Sequence, residues 1–297
     1  ISLAAVGHRF LRSRSSIPPT PGSVPCMDFA LPPAFERFPR HRAKAEAACR
    51  TTLADPDVVG MAVTGSFAAG NADELSDVDL RVYARSGAVE TVIARVPELA
   101  AACGPVVALF VADHLGIPNL TIVLYDDLVH VDFDVISVDR AAEHNQALPA
   151  VVLWERDAIA AALPGTYESD VAADVRWMEA RIWTWSWYIQ SKVLRGELYE
   201  ALDGLQYVRD QVLFRLLALG RGDRPSGGRR AEAVVGAHAD AFARTVPIAL
   251  ERSAVMEALR AEMDLYRRLA DPLLAQHRVD LATEARTVTL RALEAGL

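Results

Sequence analysis

The chain has few cysteines, and their placement suits no structural chemistry. Cys26, Cys49 and Cys103 are the three in 297 residues. They are odd in number, widely spaced and without a Cys-x-x-Cys pair, which excludes a disulfide framework and gives no zinc signature. A reducing, cytoplasmic setting is the default that follows. Long apolar runs are also missing: no stretch approaches the roughly 18 residues a membrane-spanning helix needs. The seven histidines show no His-x-x-x-His spacing. There is no basic excess. The net charge of −8 has the wrong sign for a protein that grips a phosphate backbone and the right one for a small cationic partner.

Hydrophobic residues at 52% and charged residues at 24% describe a globular chain, long enough for one large or two ordinary domains. Residues 1–26 mix Arg, Ser and Pro without any period. The apolar stretch Ile1–Val6 is shorter than that of a cleaved signal. Two readings stay open: a leader appended before a natural start at Met27, or a disordered native tail.

Helical spacing of apolar and Ala residues over 34–54 ends at Asp55-Pro56-Asp57. Val58–Thr64 is a continuous apolar run with β-branched residues, which predicts a strand covered on both faces. Phe67–Ser76 is small and polar and reads as a loop with Gly70-Asn71 as turn chemistry. Val78–Tyr83 reads as a strand, Val89–Leu99 as a short helix, and Val106–Ala112 and Leu120–Tyr125 as strands, with a turn at Asp126-Asp127. Leu128–Val138 alternates: Val129, Val131, Phe133 and Val135 on one face, His130, Asp132 and Asp134 on the other. Beyond about residue 165 strand patterns stop. Val171, Val175, Met178, Ile182, Trp185, Ile189 and Val193 form one helical stripe, and Leu202, Leu205, Val208, Val212, Leu216 and Leu219 a second. Three further helical patterns lie near 230–245, 250–271 and 279–295. The expected layout is a leader over 1–30, an α/β (α+β) head with a mixed sheet over 31–165, and an all-α helical bundle over 166–297.

The chemistry concentrates at Gly65-Ser66 and at Asp77-Val78-Asp79. A strand has a side-chain period of two, so Asp77 and Asp79 share one face. Adjacent carboxylates repel and call for a cation between them, which suits a divalent metal carrying a triphosphate. Glycine lets backbone approach a phosphate, and the adjacent amides and the serine hydroxyl can donate to it. Asp132 and Asp134 lie on one face of their own strand, and the strand period does not separate them as third acid. His130 on that face reads as a hydrogen-bonded histidine rather than a ligand. Trp177, Trp183, Trp185 and Trp187 crowd one helix and read mostly as core, with one or two free to stack on a base or a sugar.

Gly65-Ser66, a loop of about ten residues, Asp77-x-Asp79 and Asp132 in His130-Val131-Asp132-Phe133 resemble the nucleotidyltransferase superfamily signature over residues 50–140. The resemblance implies a central mixed sheet flanked by helices and transfer of a nucleoside monophosphate from a nucleoside triphosphate. Lys192-Val193-Leu194-Arg195-Gly196-Glu197, with Asp203 and Arg209 on the next helical stretch, is similar to the helical domain of aminoglycoside and lincosamide nucleotidyltransferases, the antibiotic-resistance enzymes that adenylylate a drug hydroxyl. By that likeness Asp77, Asp79 and Asp132 are metal ligands and catalytic residues, binding two Mg²⁺. Gly65, Ser66 and Lys192 contact ATP or another NTP, and Glu197 and Asp203 face the acceptor in a cleft between the domains. The expected function is adenylyl transfer to a small-molecule hydroxyl, with no nucleic-acid or membrane partner. The rival readings are a transferase acting on protein or RNA, as in toxin–antitoxin pairs, and a nucleotide-binding module without catalysis.

Overall fold

The computed structural model describes residues 29–147, 150–156, 159, 169–225, 227–229 and 231–296. All but the last two positions of the expected leader, including Cys26 and Met27, lie outside them. The chain divides into two compact units, Ile1–Gly165 and Thr166–Leu297.

In the first unit, α1 (Pro39–Ala54) opens on a proline, which suits a position whose N–H has no helical partner. Behind it, Asp55 and Asp57 grip Arg95 of α3 (Val89–Cys103). Arg95 Nη1 donates to both oxygens of Asp55 at 2.6 and 2.7 Å, and Nη2 donates to Asp57. β1 (Val58–Val63) is buried at every position, as its unbroken apolar run predicts. The segment expected to be loop begins instead with a helical turn, α2 (Gly65–Ala69). Two left-handed glycines, Gly65 (φ +62°) and Gly70 (φ +73°), bracket this turn; glycine reaches that conformation without steric cost. β2 (Val78–Ala84), β3 (Val106–Ala112), β4 (Ile117–Tyr125), β5 (His130–Ser137), α4 (Ala141–Ala147) and β6 (Val151–Glu155) follow. β4 starts earlier than the sequence pattern suggests, and β6 is a strand that the pattern does not announce.

The sheet order is β3-β4-β5-β2-β1-β6. β2 and β5 run parallel, while the other neighbours pair antiparallel, so the sheet is mixed. Alternation gives β2 and β5 two different faces. Val78, Leu80, Val82, Val131, Phe133 and Val135 are buried in the main core with residues of α1 and α3. Burial of side chains of this size contributes about 1.5–3 kcal/mol each. Asp77, Asp79, Arg81, His130, Asp132 and Asp134 therefore lie on the opposite face. Cys49 and Cys103 are free and buried.

The second unit is helical. Its helices are α5 (Val171–Arg195), α6 (Leu198–Val208), α7 (Phe214–Arg221), α8 (Ala231–Val234), α9 (Ala239–Arg244), α10 (Arg252–Gln276) and α11 (Thr283–Ala295). Asp170 caps α5 by accepting from the Ala173 N–H at 2.9 Å, and left-handed Gly196 (φ +80°) ends it. A π-turn at Arg209–Leu213 joins α6 to α7. Met178, Ile182, Trp183, Leu205, Val212, Leu259 and Tyr266 centre the core. Trp183, rather than Trp185 of the expected stripe, is the fully buried tryptophan of α5. Its Nε1–H donates to buried Glu179 at 3.0 Å, and Tyr266 Oη and the Ala282 N–H donate to the same carboxylate at 2.5 and 3.0 Å. Three donors make the burial of that charge tolerable. Trp177 and Trp187 are exposed, which matches the expectation that one or two of the four stay out of the core. Among the described residues no helix is long and apolar enough to cross a membrane.

Candidate active site

Because β1 and β2 are antiparallel, the end of β1 lies beside the start of β2. Val63 pairs with Leu80, and the Thr64 N–H donates to the Asp79 carbonyl at 2.8 Å. The chain turns immediately afterwards at Gly65. A β-carbon there would stand 1.9 Å from Oδ2 of Asp79. Glycine is therefore required twice, by its positive φ and by the carboxylate pressed against its α-carbon. Ser66 is 8% exposed, and its buried Oγ has no hydrogen-bond partner among the described residues.

The parallel register of β2 and β5 sets Asp79 opposite Asp132 and Arg81 opposite Asp134. This separates the two acids that the strand period leaves equivalent. Buried Arg81 holds Asp134, with Nε to Oδ2 at 3.1 Å. Asp132 instead lies among Asp77, Asp79 and His130. Burial, with help from the charges of Asp79, Asp77 and Asp134, pushes its carboxyl up to about 6 against the lowering effect of His130. Asp132 Oδ1 is buried and makes no well-aligned hydrogen bond among the described residues.

His130 occupies the space between two of the acids. Nδ1 is 2.9 Å from Asp77 Oδ1, and Nε2 is 3.2 Å from Asp132 Oδ1. As the side chains stand, no three His, Cys, Asp or Glu among the described residues make a finished metal cage. The donor set still fits a divalent cation. It offers several carboxylates on one sheet face, an aspartate whose ionised form burial and its acidic neighbours disfavour, and an adjoining turn that admits no side chain. The sequence reading gave His130 no role beyond hydrogen bonding. The signal available was its place two residues before Asp132 on the same strand face.

Within the helical unit, the expected residues are Lys192, Glu197 and Asp203. Lys192 Nζ pairs with Glu197 Oε2 at 2.7 Å and Glu200 Oε2 at 3.0 Å, which together hold the ammonium above its ordinary pKa. Tyr188 also donates to Glu200. Asp203 is exposed on α6 and lines a cavity of about 420 Å³ with Gln206, Arg209 and residues 246–250.

Residues 44–138 match the nucleotidyltransferase domain family. This segment is a nucleotidyltransferase domain. It spans β1 through β5 and contains the Gly65 turn, Asp77, Asp79 and Asp132, and the match supports a nucleotidyltransferase enzyme. No curated protein matches the chain significantly. Solved structures similar to it include an aminoglycoside 6-adenyltransferase from Bacillus subtilis. That likeness has 13% identity and a TM-score of 0.42, and covers 86% of this chain and 97% of that one. A nucleotidyltransferase-like protein from Exiguobacterium sibiricum 255-15 is 14% identical at a TM-score of 0.37, covering 79% and 78%.

Proposed function

We propose that this nucleotidyltransferase moves a nucleoside monophosphate, AMP from ATP in the first instance, onto a hydroxyl of a small cationic molecule and releases pyrophosphate. An aminoglycoside-type or lincosamide antibiotic is the acceptor we favour. The observation that carries the reading is the parallel pairing that brings Asp132 beside Asp79, next to a turn with room only for glycine.

Asp77, Asp79 and Asp132 would hold Mg²⁺, which when bound neutralises the triphosphate and polarises the reacting phosphate. Gly65 and Ser66 offer a backbone N–H and a hydroxyl to phosphate oxygens. Asp132 accepts the proton of the acceptor hydroxyl. That oxygen bonds to the α-phosphorus as the bond to the pyrophosphate oxygen breaks. Asp132 lies on the same sheet face as Asp79 and opposite it in register, which places a carboxylate where it can take that proton directly or act through the bound ion. The net charge of −8 and the exposed acid Asp203 favour a polycationic acceptor.

The test is a pyrophosphate-release screen of aminoglycosides and lincosamides with Mg²⁺ and each NTP, with tRNA and protein acceptors alongside. Release with an amino-sugar or lincosamide supports the proposal. Release only with tRNA or protein overturns the acceptor class. Mg·ATP binding without release on any acceptor overturns the transfer.

A further inference from the structure

The sheet face that carries Asp79 and Asp132 continues past them across two more strands. Asp132 pairs on its other side with Ile122 of β4, and Ile122 pairs with Phe110 of β3. Residues paired directly across strands point to one face, so Phe110, Ile122, Asp132 and Asp79 form a single row across the sheet. Leu120 and Leu124 flank Ile122 on that face, opposite Asp134 and His130. Leu120, Ile122 and Leu124 are half-buried, and Phe110 is 48% exposed. None of the four belongs to the hydrophobic cores of the described residues. β3 is an edge strand, where charged side chains commonly discourage pairing, yet neither β3 nor β4 holds a charged residue. The result is an open apolar shelf that begins at the acid cluster. Contiguous apolar surface beside polar groups marks a ligand groove or an interface.

We infer that this shelf binds an apolar part of the acceptor, with Ile122 and Phe110 as specificity-determining residues. The inference deepens the proposed function and rests on it for the reaction. Strand order decides which substrate lies here. The Gly65 turn follows β1, on one side of Asp132, while β4 and β3 lie on the other. A triphosphate held at the turn and at Asp79 leaves the shelf to the molecule whose hydroxyl meets Asp132. Neighbouring strands stand about 4.8 Å apart, so the row from Asp132 to Phe110 is about 10 Å long, the reach of a two-ring molecule. Net charge alone points to a polycation. An aminoglycoside, however, presents hydroxyl and ammonium groups throughout and would leave the hydrocarbon of the shelf uncovered. A lincosamide joins an alkyl-bearing amine ring to a sugar, and so offers a positive charge and an apolar side together. Of the two acceptor classes the shelf therefore selects the amphiphilic one.

The experiment measures pyrophosphate release by the full chain with Mg·ATP and either lincomycin or kanamycin, in the wild type, Phe110→Ser and Ile122→Thr, with sedimentation velocity on each protein. The wild type should prefer lincomycin in kcat/KM by about 10-fold or more, and each substitution should raise the KM for lincomycin about 10-fold while the KM for ATP changes less than about 2-fold. The wild-type comparison needs no variant, so a folding defect does not remove the test. A preference for kanamycin, or a lincomycin KM untouched by both substitutions, overturns the inference and leaves the transferase reading standing. An ATP KM that rises as far as that for lincomycin assigns the shelf to the nucleobase and overturns it too. A wild-type dimer that dissociates in Phe110→Ser makes the shelf an interface between copies, with the same consequence. Release with neither compound overturns the inference together with the acceptor classes it rests on.

Discussion

Replacing Asp132 by asparagine should make the metal-free protein more stable at neutral pH while removing its activity. In the folded protein burial and the neighbouring acids push the Asp132 carboxyl from 3.8 to about 6. A rise of that size makes the ionised side chain about 3 kcal/mol less favourable than in solvent. With 19% of the side chain exposed, screening reduces the figure to about 1–2 kcal/mol. The sign follows from proton counting. Below about pH 4 the aspartate is protonated in both folded and unfolded chains and costs nothing. Between 4 and 6 the folded state keeps a proton that the unfolded state has lost, so stability falls as pH rises. Above 6 the full penalty is present. Asp132→Asn escapes it, so its Tm by scanning calorimetry in EDTA should exceed that of the wild type by about 2–3 °C at pH 7.5. The gap should close by pH 4, and Mg²⁺ should narrow it at pH 7.5 by stabilising the wild type alone. An Asp132→Asn Tm below that of the wild type at pH 7.5, or a gap independent of pH, would refute the reasoning.

Three further outcomes follow from the geometry. Asp134→Asn should retain most transfer activity, because the Asp134 carboxylate is taken up by Arg81; a loss equal to that of Asp132→Asn in the pyrophosphate assay would reverse the assignment. Gly65→Ala forces a β-carbon onto the Asp79 carboxylate at positive φ. It should lower stability by about 1–3 kcal/mol in urea titration and remove detectable transfer, and wild-type kcat would contradict the claimed contact. Asp203→Asn should raise the KM for a cationic acceptor several-fold with the KM for NTP unchanged, whereas an unchanged acceptor KM would remove Asp203 from the acceptor site.

Much of the candidate site was legible because its logic is local. Asp77 and Asp79 share a face by the two-residue period, and the Gly65-Ser66 turn follows a run that is apolar throughout. The strand period left Asp132 and Asp134 equivalent, and only the motif position favoured Asp132. The choice between them depends on which β2 residue each one meets, a register set by pairing across 53 positions of sequence. His130 was visible on the acidic face, but its approach to both Asp77 and Asp132 is again a product of that register. In the fold, β6 was missed because Val151–Trp154 is too short to show a period, and α2 because one turn framed by glycines carries loop composition. The helical stripe of α5 gave its phase correctly at Val175, Met178, Ile182, Ile189 and Val193. It misplaced the buried tryptophan because α10 and α11 both pack on α5, which widens the buried face to take in Trp183 as well.

The central claim is that Asp79 and its neighbours hold a metal-bound triphosphate beside the Gly65 turn. Calorimetric titration of the full chain with Mg²⁺ and a non-hydrolysable ATP analogue, wild type against Asp79→Asn with matching circular dichroism, tests it most directly. Saturable binding to the wild type that depends on Mg²⁺ and weakens about 100-fold or more in Asp79→Asn is the predicted result. Equal affinity in the two proteins would contradict it.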